Sequence, residues 1–102
     1  MKDSYAVVDI ETTGSSPKNG DRIIQIGIVR IEQGSIVSTY STFVNPEKQI
    51  PTFIQQLTHI SNEDVKDAPL FHEIVEEVYS QLEGAIFVAH NVNIDFPFLQ
   101  GE

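Results

Sequence analysis

Asp9 and Glu11 stand two residues apart in the run Tyr5-Ala6-Val7-Val8-Asp9-Ile10-Glu11. The run is apolar and partly β-branched, which predicts a buried strand. Two carboxylates at that spacing on a strand project from one face. Like charges side by side in apolar surroundings are costly unless a cation shares them. A divalent ion that prefers oxygen ligands, magnesium or manganese, answers that need. Alone, the pair fits two readings equally: metal ligands, or a strand end whose acids meet water. A second stretch, His90-Asn91-Val92-Asn93-Ile94-Asp95, decides between them. It follows the apolar run Ala85 to Ala89, which reads as a buried strand parallel to the first. A turn there reaches the sheet edge where Glu11 ends, and Asp95 would face Asp9 and Glu11. Three carboxylates converging on one point imply metal.

The chain that must position these groups has 102 residues, enough for one domain with a modest core. Hydrophobic residues make up 40% and charged ones 21%, the balance of a globular protein and not of a disordered one. There is no cysteine, so neither a disulfide framework nor a thiolate metal site is available. No apolar run approaches the ~18 residues that cross a bilayer, and no signal peptide precedes the first strand. A cytoplasmic protein with no membrane partner is expected. The net charge of −9 argues against a protein that coats duplex DNA through many phosphate contacts. It leaves room for an enzyme that grips a strand end through metals. Glu73, Glu76, Glu77 and Glu83 account for part of that charge as the solvated face of a helix.

Thr12-Thr13-Gly14 closes the first strand, the glycine offering a positive φ for a sharp turn. Ser15 to Asp21 is a turn-rich loop. Ile23 to Ile31 predicts a second strand, Glu32 to Ser35 a hairpin connection, and Ile36 to Val44 a third strand. Together the three form an antiparallel meander. A short helix is expected around Pro51 to Leu57 with the proline in its first turn, then a capping segment at Ser61 to Val65. Pro69 opens a clearer helix with Phe71, Ile74, Val75, Val78 and Leu82 at helical spacing, and Gly84 stops it. A last helix is expected to begin near Asn93.

The two motifs, Asp9-x-Glu11-Thr12-Thr13-Gly14 and His90-Asn91-x-x-Ile94-Asp95, resemble in order and spacing the first two motifs of the DEDD exonucleases, typified by the proofreading subunit of bacterial DNA polymerase III. Ile94 replaces the usual aromatic. Leu57-Thr58-His59-Ile60-Ser61 with Asp64-Val65 also resembles the family's link after the third strand, with His59 where glycine is common. Within the family the wording is most similar to nuclease domains fused ahead of a helicase in DinG-type proteins. The resemblance implies an α/β, ribonuclease-H-like fold: a mixed sheet, meander plus parallel strand, with helices on both faces. It implies stepwise hydrolysis of phosphodiester bonds from a single-stranded 3′ end, DNA before RNA, releasing nucleoside monophosphates. Two magnesium or manganese ions would be held by Asp9, Glu11 and Asp95. The backbone at Thr12 and Thr13 would receive the terminal nucleotide, Leu57 or Ile60 would pack on its base, and Asn91 would help place the strand end. A helicase or polymerase is the partner implied for the parent protein.

The family's third motif, His-x-x-x-x-Asp, supplies the general base and a fourth carboxylate, and it has no counterpart in residues 1–102. His59 and Asp64 have the spacing but precede the second motif and fall in a turn. His72-Glu73 begins like a zinc-protease helix, but Glu76 stands where the second histidine must be. His90 reads as a structural histidine beside the site. The expectation is therefore the N-terminal portion of one exonuclease domain, truncated and inactive alone. The alternative is a non-catalytic module that binds a strand end, a polymerase or a helicase. That reading gives no reason for Asp9, Glu11 and Asp95 to occur together.

Overall fold

Strand β1, Ser4–Thr12, buries Ala6, Val8 and Ile10 and exposes Tyr5, Val7 and Asp9, the period-two alternation of a strand with one covered face. The computed structural model describes residues 3–14 and 16–89, so the second motif, with His90, Asn91 and Asp95, lies outside the described residues. β2 (Ile23–Glu32) runs antiparallel to β1, and β3 (Ser35–Phe43) antiparallel to β2. Gln33 and Gly34 join them at φ 54° and 79°, the paired left-handed conformation that matches the twist of a tight hairpin. β4 (Ile86–Ala89) pairs in parallel with the other side of β1, giving the order β3-β2-β1-β4. The expected meander and parallel strand are both present.

The register of β1 and β2 slips between Glu11 and Thr12, where Gln25 opposes Glu11 and Ile23 opposes Thr12. Ile24 is the extra residue of this bulge. Ile23, Ile26 and Ile28 join one core with Ala6, Val8 and Ile10, while Ile24 joins another with Ile50, Ile54, Ile60 and Val65. The first core is closed by Phe71, Ile74 and Val78 of helix α3 (Phe71–Leu82). Arg30 Nη1 donates to the Gln81 carbonyl at 3.0 Å and Ser38 Oγ to Gln81 Oε1 at 2.9 Å, fixing the helix end on the sheet. Helices α1 (Thr52–Thr58) and α2 (Asn62–Val65) enclose the second core. Phe43 packs against it and stands in register with Gln25, itself opposite Glu11. The second core therefore lies on the Asp9 face of the sheet, beyond Glu11, so helices do flank both faces.

Local chemistry sets the ends. Pro51 is the cap residue before α1, φ −56° and ψ 143°, and not a member of its first turn. Ser61 and Asp64 form a capping box around α2. Glu73 accepts from the Leu70 N–H at 2.7 Å, and Gly84 at φ 74° follows the end of α3. Val75, expected in the apolar stripe of α3, is exposed. The expectation that Ala85 to Ala89 is buried is also corrected: Ile86 and Val88 are 52% and 39% exposed. α3 covers only the face that holds Phe87, and alternation turns Ile86 and Val88 to the face shared with Tyr5 and Val7. No helix of the described residues is long and apolar enough to cross a membrane.

Candidate active site

The Asp9 face of β1 ends in a braced turn. Thr13 is 1% exposed, its N–H donates to the Arg22 carbonyl at 2.8 Å, and its Oγ1 accepts from the Arg22 N–H at 3.0 Å. The same hydroxyl donates to Asp21 Oδ1 at 3.1 Å, and Asp21 Oδ2 accepts from the Ser16 N–H at 3.1 Å. Lys48 Nζ stands 4.0 Å from Asp21 Oδ1 and donates to the Gly20 carbonyl at 3.0 Å. The loop 16–21 is thus tied to the strand end through one carboxylate. Gly14 does not take a positive φ, contrary to expectation. Its requirement is spatial, since a Cβ there would lie 2.4 Å from Asp21 Oδ2. Asp21 is a functional residue that the motifs do not mark: an acid in a turn-rich loop carries no sequence signal of the buried threonine it meets.

A cleft of about 330 Å³ opens at this turn. Glu11, Thr12 and Gly14 line one side, and Phe53, Ile54, Leu57 and Thr58 of α1 line the other. Phe53 and Leu57 are four apart and therefore adjacent on the helix surface. They are 66% and 75% exposed, while Ile54 is buried in the second core. α1 thus presents an apolar ledge across from a carboxylate. That arrangement suits a ligand with a flat apolar part and an anionic part bound through a cation.

Of the residues expected in the site, the structure brings Glu11, Thr12 and Leu57 to the cleft, and Asp9 lies on the same strand face as Glu11, exposed. Thr13 is interior and acts through its hydrogen bonds. Ile60 is 4% exposed within the second core and does not reach the cleft wall; Phe53 stands there instead. The sequence signal for Phe53 was its position one helical turn before Leu57. Asp95 and Asn91 lie outside the described residues, and among the described residues no three His, Cys, Asp or Glu side chains group as a metal site.

A family model described as an exonuclease, RNase T, matches residues 6–102. The 3′-5′ exonuclease DinG of Bacillus subtilis (strain 168) is 50% identical over 101 residues, which is 99% of this chain and 11% of that protein. The PolC-type DNA polymerase III of Caldanaerobacter subterraneus subsp. tengcongensis is 45% identical over 102 residues, all of this chain and 7% of that protein. The chain thus spans about a tenth or less of the length of these relatives. The nuclease domain of 3′hExo, a DEDDh family member solved with rAMP, superposes with a TM-score of 0.78 at 22% identity, over 97% of this chain and 57% of that one.

Proposed function

The chain belongs to the RNase T exonuclease family, and from that premise we propose that it forms the metal-holding and nucleotide-receiving part of a 3′–5′ exonuclease acting on single-stranded ends, DNA before RNA. One observation carries this reading: the apolar cleft opens beside Glu11, on the strand face that also carries Asp9. The donor set fits hard divalent cations, because it consists of carboxylate oxygens with no thiolate available. Asp9 and Glu11 would hold magnesium or manganese, with Asp95 completing the set. The ions, when bound, supply an activated water and charge stabilisation for the leaving 3′ oxygen. Phe53 and Leu57 flank the terminal base, Thr12 lines its far side, and the Thr13–Asp21 brace holds that wall still. Asn91 is assigned to placing the strand end.

The family's third motif has no counterpart in the 102 residues. The general base and fourth carboxylate of that motif are therefore assigned to no residue of this chain. The chain by itself binds without hydrolysing. In the full-length protein, manganese should raise the melting temperature of the wild type, since binding to the native state stabilises it. Asp9→Asn should lose that gain and nearly all shortening of a single-stranded oligonucleotide while remaining folded. Equal stabilisation by manganese, or retained shortening, would remove Asp9 from the site. Metal binding with no shortening by the wild type would leave a strand-end binding module in place of an enzyme.

A further inference from the structure

Four of the five glycines among the described residues have a local reason: Gly20, Gly34 and Gly84 take positive φ, and Gly14 yields to Asp21. Gly27 has none. It sits in the middle of β2 with β1 on one side and β3 on the other, where a glycine weakens the strand and packs nothing. Among the described residues, a Cβ added to it would meet only the Asp9 carbonyl oxygen, at 3.9 Å, an ordinary contact. Neither torsion nor crowding by the described residues demands its absence.

The register shows what lies above it. Gly27 is the direct partner of Asp9 on one side and of Ser41 on the other. Paired residues share a face, so Gly27 lies on the face that carries the Asp9 side chain. The neighbouring row on one side is Val7, Val29 and Thr39, and on the other Glu11, Gln25 and Phe43. Between these larger residues, Gly27 and the exposed Ser41 leave a low strip across the sheet, starting at Asp9.

Resting on the function proposed above, we infer that Gly27 keeps open the space beside Asp9 into which the phosphate of a bound nucleotide fits. It is a positioning residue that acts by having no side chain. A valine there leaves the carboxylates able to take a cation but fills the room the phosphate requires.

The test compares full-length wild type, Gly27→Ala and Gly27→Val by melting temperature, first alone, then with manganese, then with manganese and deoxyadenosine monophosphate. Both variants should melt no lower than wild type when alone and keep the manganese shift. The mononucleotide should bind Gly27→Val about tenfold or more weakly, read as its apparent Kd, with Gly27→Ala between. Wild-type nucleotide affinity in Gly27→Val overturns the inference. So does a lowered melting temperature in both variants alone, which would make the glycine a requirement of the fold. Absence of any manganese or nucleotide shift in the wild type is a different failure: it removes the exonuclease reading itself, and this inference with it.

Discussion

At residue 14 a single methyl group would be placed 2.4 Å from Asp21 Oδ2 and 2.6 Å from its carboxyl carbon. The carboxylate cannot simply swing away, because it also accepts from Thr13 Oγ1 and the Ser16 N–H. Gly14→Ala should therefore cost about 1–3 kcal/mol, the usual range for overpacking a well-filled site. In the double variant with Asp21→Ala the added methyl has room, so the two costs should be clearly less than additive in a urea-denaturation cycle. Strict additivity would show that the strain lies elsewhere. The motif Thr12-Thr13-Gly14 was legible in the sequence as a strand end, and its glycine as a special position. The reason was not legible, because the group it avoids reaches in from the far side of the loop. The same holds for Ile60 and Phe53. Both are apolar residues near the link after β3, and only the second core shows that Ile60 faces inward and Phe53 faces the cleft.

At the level of elements, His59 caps α1 with φ 61° and ψ 25°, donating its N–H to the Gln55 carbonyl at 2.9 Å. The left-handed region costs a residue with a Cβ about 1–2 kcal/mol, and this is where the family commonly has glycine. His59→Gly should raise stability by about 1 kcal/mol after the extra freedom glycine gains in the unfolded chain, ~0.4–1 kcal/mol, is subtracted. A fall in melting temperature would mean that the imidazole makes a contact worth more than the torsional strain. A second element-level expectation concerns Tyr40 on β3, which packs against the first core. Burial first, and the Glu77 carboxylate on α3 second, push its phenol above the ordinary 10.0. The unfolded chain thus releases this proton at lower pH than the native one. The contribution of Tyr40 is complete below pH 10.0 and is lost as pH rises through the higher native value. Denaturation midpoints of wild type should fall relative to Tyr40→Phe above pH 10.0 and run parallel below it; parallel curves throughout would remove the effect. β-branched runs and caps make the strands and helices legible in order, and Ser61 with Asp64 forms the cap that its residue types announce. The exposure of Ile86 and Val88 on β4 is not legible in the sequence, because an apolar run reports what a strand could bury. Whether a helix covers each face is decided elsewhere in the chain.

Over the whole molecule, the two faces of the sheet are unequal. α3 seals one, whereas on the other Tyr5, Val7, Ile86 and Val88 are 37%, 37%, 52% and 39% exposed, side by side in register on β1 and β4. Among the described residues no strand pairs with the outer edge of β4. An apolar strip along an open parallel edge is a template for pairing with another chain. Opposing this is the net charge of −9, which repels like copies and is weakened by salt as the screening length falls from about 30 Å at 0.01 M to about 10 Å at 0.1 M. The 102 residues alone should therefore scatter as monomer at low salt and dilution, and as larger species when concentration and salt rise together. Ile86→Lys distinguishes the two contributions. It moves the net charge one unit toward zero, which taken alone would favour association, yet it places a charge on the apolar edge. If the edge governs, the variant stays smaller than wild type at high salt with its melting temperature unchanged. If the variant associates as much as wild type or more, the apolar face is not the surface through which copies meet.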